Sequence, residues 1–276
     1  MNLIDKFFDQ PQTMPMLPKV VQEVTELLKN VDVDINILAD KINHDLVLSA
    51  KVLRLSNSAY FGCSREVSSI QEAVSLIGLA KLETLVIACG VVSAFTDVPG
   101  LNLKRFWQHS LVTASIARQL AKDVGYDTDS AYMAGLMHTV GELPIHIVFP
   151  GAGKQIDEVC KGKNVLERSK VEHAVIGVDH CQVGEKLARH WNFPEEIARA
   201  IRYYTNPLSQ NACKLAPVVY VAAHIAFDLE QGKTAIEIAN TLSDDIATTL
   251  ALENKEMLAE KIDTYHVFVS EAKCYV

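Results

Sequence analysis

Four histidines carry the clearest chemical signal in this chain. Along residues 102–124, Phe106, His109, Thr113, Ile116, Leu120 and Val124 recur at steps of three or four, which puts His109 on the inward stripe of a helix. His138 ends the small-residue run AYMAGLMHTVG and faces a turn made by Gly141. Ile176, His180, Val183, Gly184, Leu187 and Trp191 share another helical face, and His224 sits inside the apolar run VVYVAAHIAF. Neutral imidazoles suit zinc, nickel, cobalt or iron, so several of them aimed inward make a candidate site for one divalent transition metal. The competing expectation is a buried hydrogen-bond network, because a histidine on an apolar face usually bonds a carbonyl or hydroxyl. The nearby acids, Glu172 and Asp179, fall on no clear inward stripe.

Other chemistry finds little support. There is no Gly-x-Ser-x-Gly elbow, and the GAG at 151–153 lacks both the Lys-Ser/Thr ending and the preceding strand of a phosphate loop, so it reads as a helix breaker. Six cysteines (63, 89, 160, 181, 213, 274) form no CxxC pair. They are expected to be small buried hydrophobes, with Cys274 an exposed thiol. Phe106, Trp107 and Trp191 read as core aromatics. Arg54, Asn57, Ser58 and Tyr60 would either recognise a partner or close a helix, and the capping alternative is the simpler one.

The elements that must hold these residues are helices. Pro18 opens one through about Asn30, Asp34 caps a second ending near His44, and a third covers Leu46–Ser56. Ser68 or Ser69 caps a helix to Gly78, and Lys81 to about Phe95 follows. DVPGLN, residues 97–102, marks a boundary, giving an N-terminal helical subdomain (1–100) and a second helical subdomain (101–276). Beyond it come helices at 102–124, from Thr128 or Asp129 to the turn at Gly141, and at about 165–191 with an interruption, 194–204, 212–231, 234–252 and 255–273. The fold class is all-α.

The chain has 276 residues, 49% hydrophobic, with 34 acidic and 26 basic residues for a net charge of −8. That balance argues against nucleic acid as a partner, since such binding needs Lys and Arg to displace counterions. The longest apolar run, residues 85–95, is too short to span a bilayer, and the N-terminus lacks the basic start of a signal peptide. A cytoplasmic protein with no membrane partner is expected.

Several motifs together resemble the HDOD family, bacterial signalling relatives of the HD-domain metal-dependent phosphohydrolases. They are LP (17–18), HDLVLSAKVLRLSNSAYFG (44–62), SSIQEAVSLIGLAKLETLVI (68–87), FWQHS (106–110), GLMHTVGEL (135–143), EHAVIGVDHCQVGEKLARHWNFPEEIARAIRYYTNP (172–207) and LAPVVYVAAHIA (215–226). The resemblance covers about residues 13–230 and implies an HD-like subdomain packed on an N-terminal helical one. Residue by residue, it puts His109 at the first metal-ligand position and His138 at the His of the His-Asp pair, with Thr139 replacing the Asp. His180 fills the next position, Tyr204-Thr205 stand for the common His-His, and His224 for the late Asp. The literal pair His44-Asp45 is a decoy whose Asp45 is expected to cap a helix.

With the bridging carboxylate replaced, the resemblance implies a non-catalytic signal-transduction module that binds signalling proteins, carries a degenerate metal site and needs no cofactor. The alternative is a phosphohydrolase or phosphodiesterase using one divalent metal on His109, His138, His180 and His224. A third, a pocket that binds a nucleotide without cleaving it, has Arg202 as its candidate cation. The amphipathic stretch Lys255–Lys273 would pack on the body or form a homodimer contact.

Overall fold

The computed structural model describes residues 7, 15–28, 33–58 and 66–275. Tyr60, Cys63 and the side chain of Cys274 lie outside them. Among the described residues every regular element is helical, and no helix is long and apolar enough to cross a membrane. The chain forms two compact units, one spanning Pro15–Thr96 and the other Asp97–Cys274.

The first unit contains α1 (Lys19–Leu28), α2 (Ile35–Asn43), α3 (Leu46–Ser56), α4 (Ile70–Ile77) and α5 (Leu79–Ala94). Short polar residues start these helices: the side chains of Asp34, Asp45 and Ser69 accept from the free N–H groups of α2, α3 and α4. Asp45 is therefore a cap, as expected of the decoy pair. Asn57 closes α3 and ties it to the next segment, donating to the carbonyls of Leu53 and Val67 and accepting from the Val67 N–H. Gly78, at φ +83°, joins α4 directly to α5, a backbone angle that side chains with a Cβ resist. The apolar stripes meet in one core that includes Val21, Leu38, Ile42, Val52, Ile70, Leu82 and Leu85.

The second unit is built around α13 (Leu215–Glu230), most of whose residues are buried, flanked by α6 (Leu103–Asp123), α7 (Thr128–Met137) and α12 (Glu195–Tyr203). α8 (Glu142–Val148), α9 (Pro150–Cys160), α10 (Arg168–Ile176) and α11 (His180–His190) pack in succession beside them. The chain ends with α14 (Ala235–Thr241), α15 (Asp244–Thr249), α16 (Lys255–Thr264) and α17 (His266–Tyr275). Phe7 is buried here too, edge-on to Phe149 at 5.5 Å between ring centroids, so a residue before the first unit belongs to the second unit's core.

Four sequence expectations need correction. α7 starts at Thr128 as expected, capped by Asp127, but it stops at Met137 rather than reaching the turn at Gly141. The GAG at 151–153 does not break a helix but forms the first turn of α9, where Pro150 supplies the N1 position and Gly153 lets the backbone lie against the His146 ring. Residues 234–252 are two helices, because buried Leu242 is extended. Residues 255–273 are also two, separated where the N–H of buried Tyr265 turns back to the Ile262 carbonyl.

Candidate functional site

Two close backbone approaches bring the histidines together. A Cβ on Gly135 would lie 2.8 Å from Ala114 Cα, so α6 and α7 pack nearly backbone to backbone, and His109 and His138 come to 5.4 Å between ring centroids. A Cβ on Gly141 would lie 2.0 Å from the His180 carbonyl oxygen. Only glycine permits the turn after His138 to rest on the first turn of α11, which carries His180. Tyr204, just past α12, fills the space between, with its ring centroid 5.2 Å from His138 and 5.8 Å from His180.

Each ring nitrogen can then be accounted for. His138 Nδ1–H donates to the Gly135 carbonyl at 2.7 Å, and burial together with the neighbouring His109 holds its pKa well below the ordinary value. It is a neutral imidazole whose Nε2 lone pair is buried and has no hydrogen-bond partner. His109 Nδ1 bonds the Glu230 carboxylate at 3.1 Å, and its Nε2 is likewise buried without a partner, as are the hydroxyls of Thr113 and Thr139. His180 is different. Its Nδ1 meets Glu172 Oε2 at 2.5 Å and its Nε2 meets Tyr204 Oη at 2.6 Å. Burial opposes its charge, but the Cys181 sulfur and the Glu172 carboxylate outweigh that and raise its pKa well above the ordinary value. Protonated, it donates from both nitrogens and offers no lone pair to a metal.

Behind His180 lies a charge network with Arg168 at its centre. Arg168 is buried, and its guanidinium reaches Glu142 at 3.1 Å, Glu172 at 2.9 Å and Asp157 at 2.8 Å. His146 Nε2 also meets Asp157 at 3.5 Å: burial works against its charge, but Asp157 outweighs burial and raises its pKa. Glu172 is pulled below the ordinary carboxylate range, since burial is outweighed by His180 and Arg168, whereas burial pushes Glu142 above it. Three carboxylates therefore face one arginine and two histidines, which is how a buried cluster of charges is tolerated.

Not all of the four histidines share this place. His109, His138 and His180 line one continuous string with Tyr204. His224 belongs to another: Asn164 Nδ2 donates to its Nδ1 at 2.9 Å, and its Nε2–H donates to Thr241 Oγ1 at 2.7 Å. Both nitrogens are spent and burial lowers its pKa, so His224 is a neutral tie between α13, α14 and the segment before α10.

The sequence pattern missed Arg168, Glu142, Asp157 and His146, and it set Glu172 aside although that side chain is fully buried against His180. The i,i+4 spacing of Arg168 and Glu172 was the available signal. Asp179 is a helix cap with a reciprocal Gln182 bond, and Arg202 pairs with Glu185 at 3.5 Å, so neither contributes to the cluster. Trp107 and Trp191 are buried core residues.

The donor atoms of Glu142, Glu172 and His180 lie within 4.8 Å of one another, a spacing suited to a cation. The Arg168 guanidinium already neutralises both carboxylates, and an imidazolium cannot be a ligand. That leaves the two unpartnered Nε2 atoms of His109 and His138, where a catalytic zinc normally takes three protein ligands. The residues present do not fit the divalent metal of a hydrolytic HD site.

The comparisons with known proteins agree with this architecture. The HDOD domain matches residues 14–207. A candidate phosphohydrolase from Shewanella amazonensis SB2B is 31% identical, with a TM-score of 0.79 over 99% of this chain and 97% of that one. An HDOD domain protein of unknown function from Geobacter sulfurreducens has a TM-score of 0.76 at 24% identity, covering 99% of this chain and 97% of that one. A candidate signal-transduction protein from Marinobacter aquaeolei VT8 has a TM-score of 0.75 at 23% identity, covering 99% of this chain and 63% of that one, and these two share the fold. A Treponema pallidum (strain Nichols) protein with no assigned function is 28% identical over 200 residues, 72% of this chain, and the chain spans 39% of that protein's length.

Proposed function

The chain belongs to the HDOD domain family, and from that footing we propose that it is a non-catalytic signal-transduction module that acts by binding other proteins. Its histidine string is then the remnant of a metal-phosphohydrolase site, retained for packing. The observation that carries this is the state of His180, whose two nitrogens are held by Glu172 and Tyr204 while Arg168 occupies the charge position between Glu142 and Glu172. Hydrolytic HD chemistry asks a metal to acidify water and steady phosphoryl oxygens, and here the acids that would hold it neutralise an arginine instead. The test is phosphodiesterase and phosphatase activity on linear and cyclic nucleotides with Mn, Fe, Co, Ni or Zn supplied. Activity no higher than that of a His109/His138/His180 triple alanine variant is expected, and a clear excess over that variant refutes the reading.

One observation favours a second reading, a phosphohydrolase with an altered ligand set. The Nε2 atoms of His109 and His138 are buried, unpartnered and backed by Glu230 and the Gly135 carbonyl, the outer support a metal-bound histidine usually has. It requires about one equivalent of transition metal in the purified protein, lost in His138→Ala. Elemental analysis of metal-replete protein without bound metal removes it.

A further inference from the structure

A cavity of about 430 Å³ opens on the second unit between the start of α6, the end of α13 and α17. It lies within the usual range of small-molecule sites, roughly 300–1,000 Å³. Lys104, Arg105 and Lys273 line it, and none of the three has a carboxylate partner among the described residues. In a chain of net charge −8, three unpaired cations around one cavity are a local reversal of sign. The one acid lining it, Glu230, already accepts from His109 Nδ1. Val269, half-buried, supplies an apolar wall over the buried Val112 and Leu229.

We infer that this cavity binds a small organic phosphate, its phosphoryl group held by Lys104, Arg105 and Lys273 and its apolar body laid on Val269. A guanidinium matches two phosphoryl oxygens at once, and two ammonium groups complete the neutralisation of a dianion. A bare phosphate would leave the apolar wall unused, and a neutral apolar molecule would leave three cations unpaired. The site is separate from the string of His138, Tyr204 and His180, and it touches that string only through Glu230, the residue that orients His109.

The experiment uses the full chain and 1-naphthyl phosphate as probe, with 1-naphthol and inorganic phosphate as the two halves of the ligand, followed by calorimetry. The phosphate ester is expected to bind at least tenfold more tightly than either half, and to weaken as salt rises. Lys104 and Arg105 are exposed, so Lys104→Glu with Arg105→Glu leaves folding intact, which circular dichroism verifies, and weakens the ester at least tenfold. Arg202→Glu, at a cation outside the cavity, leaves the ester's affinity unchanged. Absence of saturable binding by the ester, affinity equal to that of 1-naphthol, or unchanged affinity in the double charge reversal each overturns the inference.

Discussion

Glu172→Gln keeps the shape of a fully buried side chain and removes its charge. In the native protein Oε1 accepts from Arg168 Nε at 2.9 Å, while Oε2 accepts from the His180 backbone N–H at 2.7 Å and from His180 Nδ1–H at 2.5 Å. Glutamine offers one oxygen to these three donors, so its NH2 must face either Arg168 or His180, donor against donor. Breaking a buried ion pair from one side costs about 3–5 kcal/mol, and with no cavity created the lower end, about 3 kcal/mol near pH 6, is expected. The pH dependence identifies the mechanism. His180 has a folded pKa raised above its ordinary 6.5, so its contribution is complete below that value. The folded state holds more protons as pH rises past 6.5, and stability then falls by about 1.4 kcal/mol per pH unit until the folded pKa is passed. Glu172, with its pKa lowered from 4.5, contributes above that value and loses its contribution as pH falls through the folded pKa. The pair therefore stabilises most between about pH 4.5 and 6.5. In the glutamine variant burial dominates, His180 becomes neutral, and its share of the slope above pH 6.5 disappears. Urea unfolding of both proteins from pH 4 to 9 measures the difference, in which the slope from His146 cancels. A difference below about 1 kcal/mol, or one constant across pH, would show that His180 is neutral and refute the assignment.

Three other outcomes follow from the geometry. Gly141→Ala drives a Cβ against the His180 carbonyl and the Gly184 N–H, neither of which can swing aside, and should lower stability by about 3 kcal/mol in thermal or urea unfolding. Asp45→Ala removes the acceptor for the Val47 and Leu48 N–H groups and should cost about 1 kcal/mol while leaving metal content unchanged. A change in metal content would return the His44-Asp45 pair to the ligand set. Nitrogen-15 NMR of the imidazoles at pH 6.5 should show His138 neutral with its proton on Nδ1 and His224 neutral with its proton on Nε2. Because both have lowered pKa values, each destabilises the fold as pH drops below 6.5, where the unfolded chain takes up the proton first. The opposite tautomer at His138 would remove the orphaned Nε2 lone pair on which the metal-binding reading depends.

The sequence by itself determined the all-α class, several helix caps, among them Asp34 and Asp45, and the inward direction of His109, His138 and His180, because 3.6-residue periodicity and a capping side chain act within a few residues of one another. It also implied, through its resemblance to the HDOD family, that Thr139, Tyr204 and Thr205 stand where hydrolytic HD proteins have acids and histidines. It could not say which nitrogen of each imidazole is free, since that depends on partners distant along the chain: Glu230 for His109, Tyr204 for His180, Asn164 and Thr241 for His224. Those partners separated His224 from the other three. Helix periodicity likewise gave no warning that Arg168 would be buried among Glu142, Asp157 and Glu172, because a charged i,i+4 pair reads as a solvated face until other elements cover it. Tertiary packing made that arginine the internal cation, since once water is excluded each buried carboxylate must find its counter-charge within the fold.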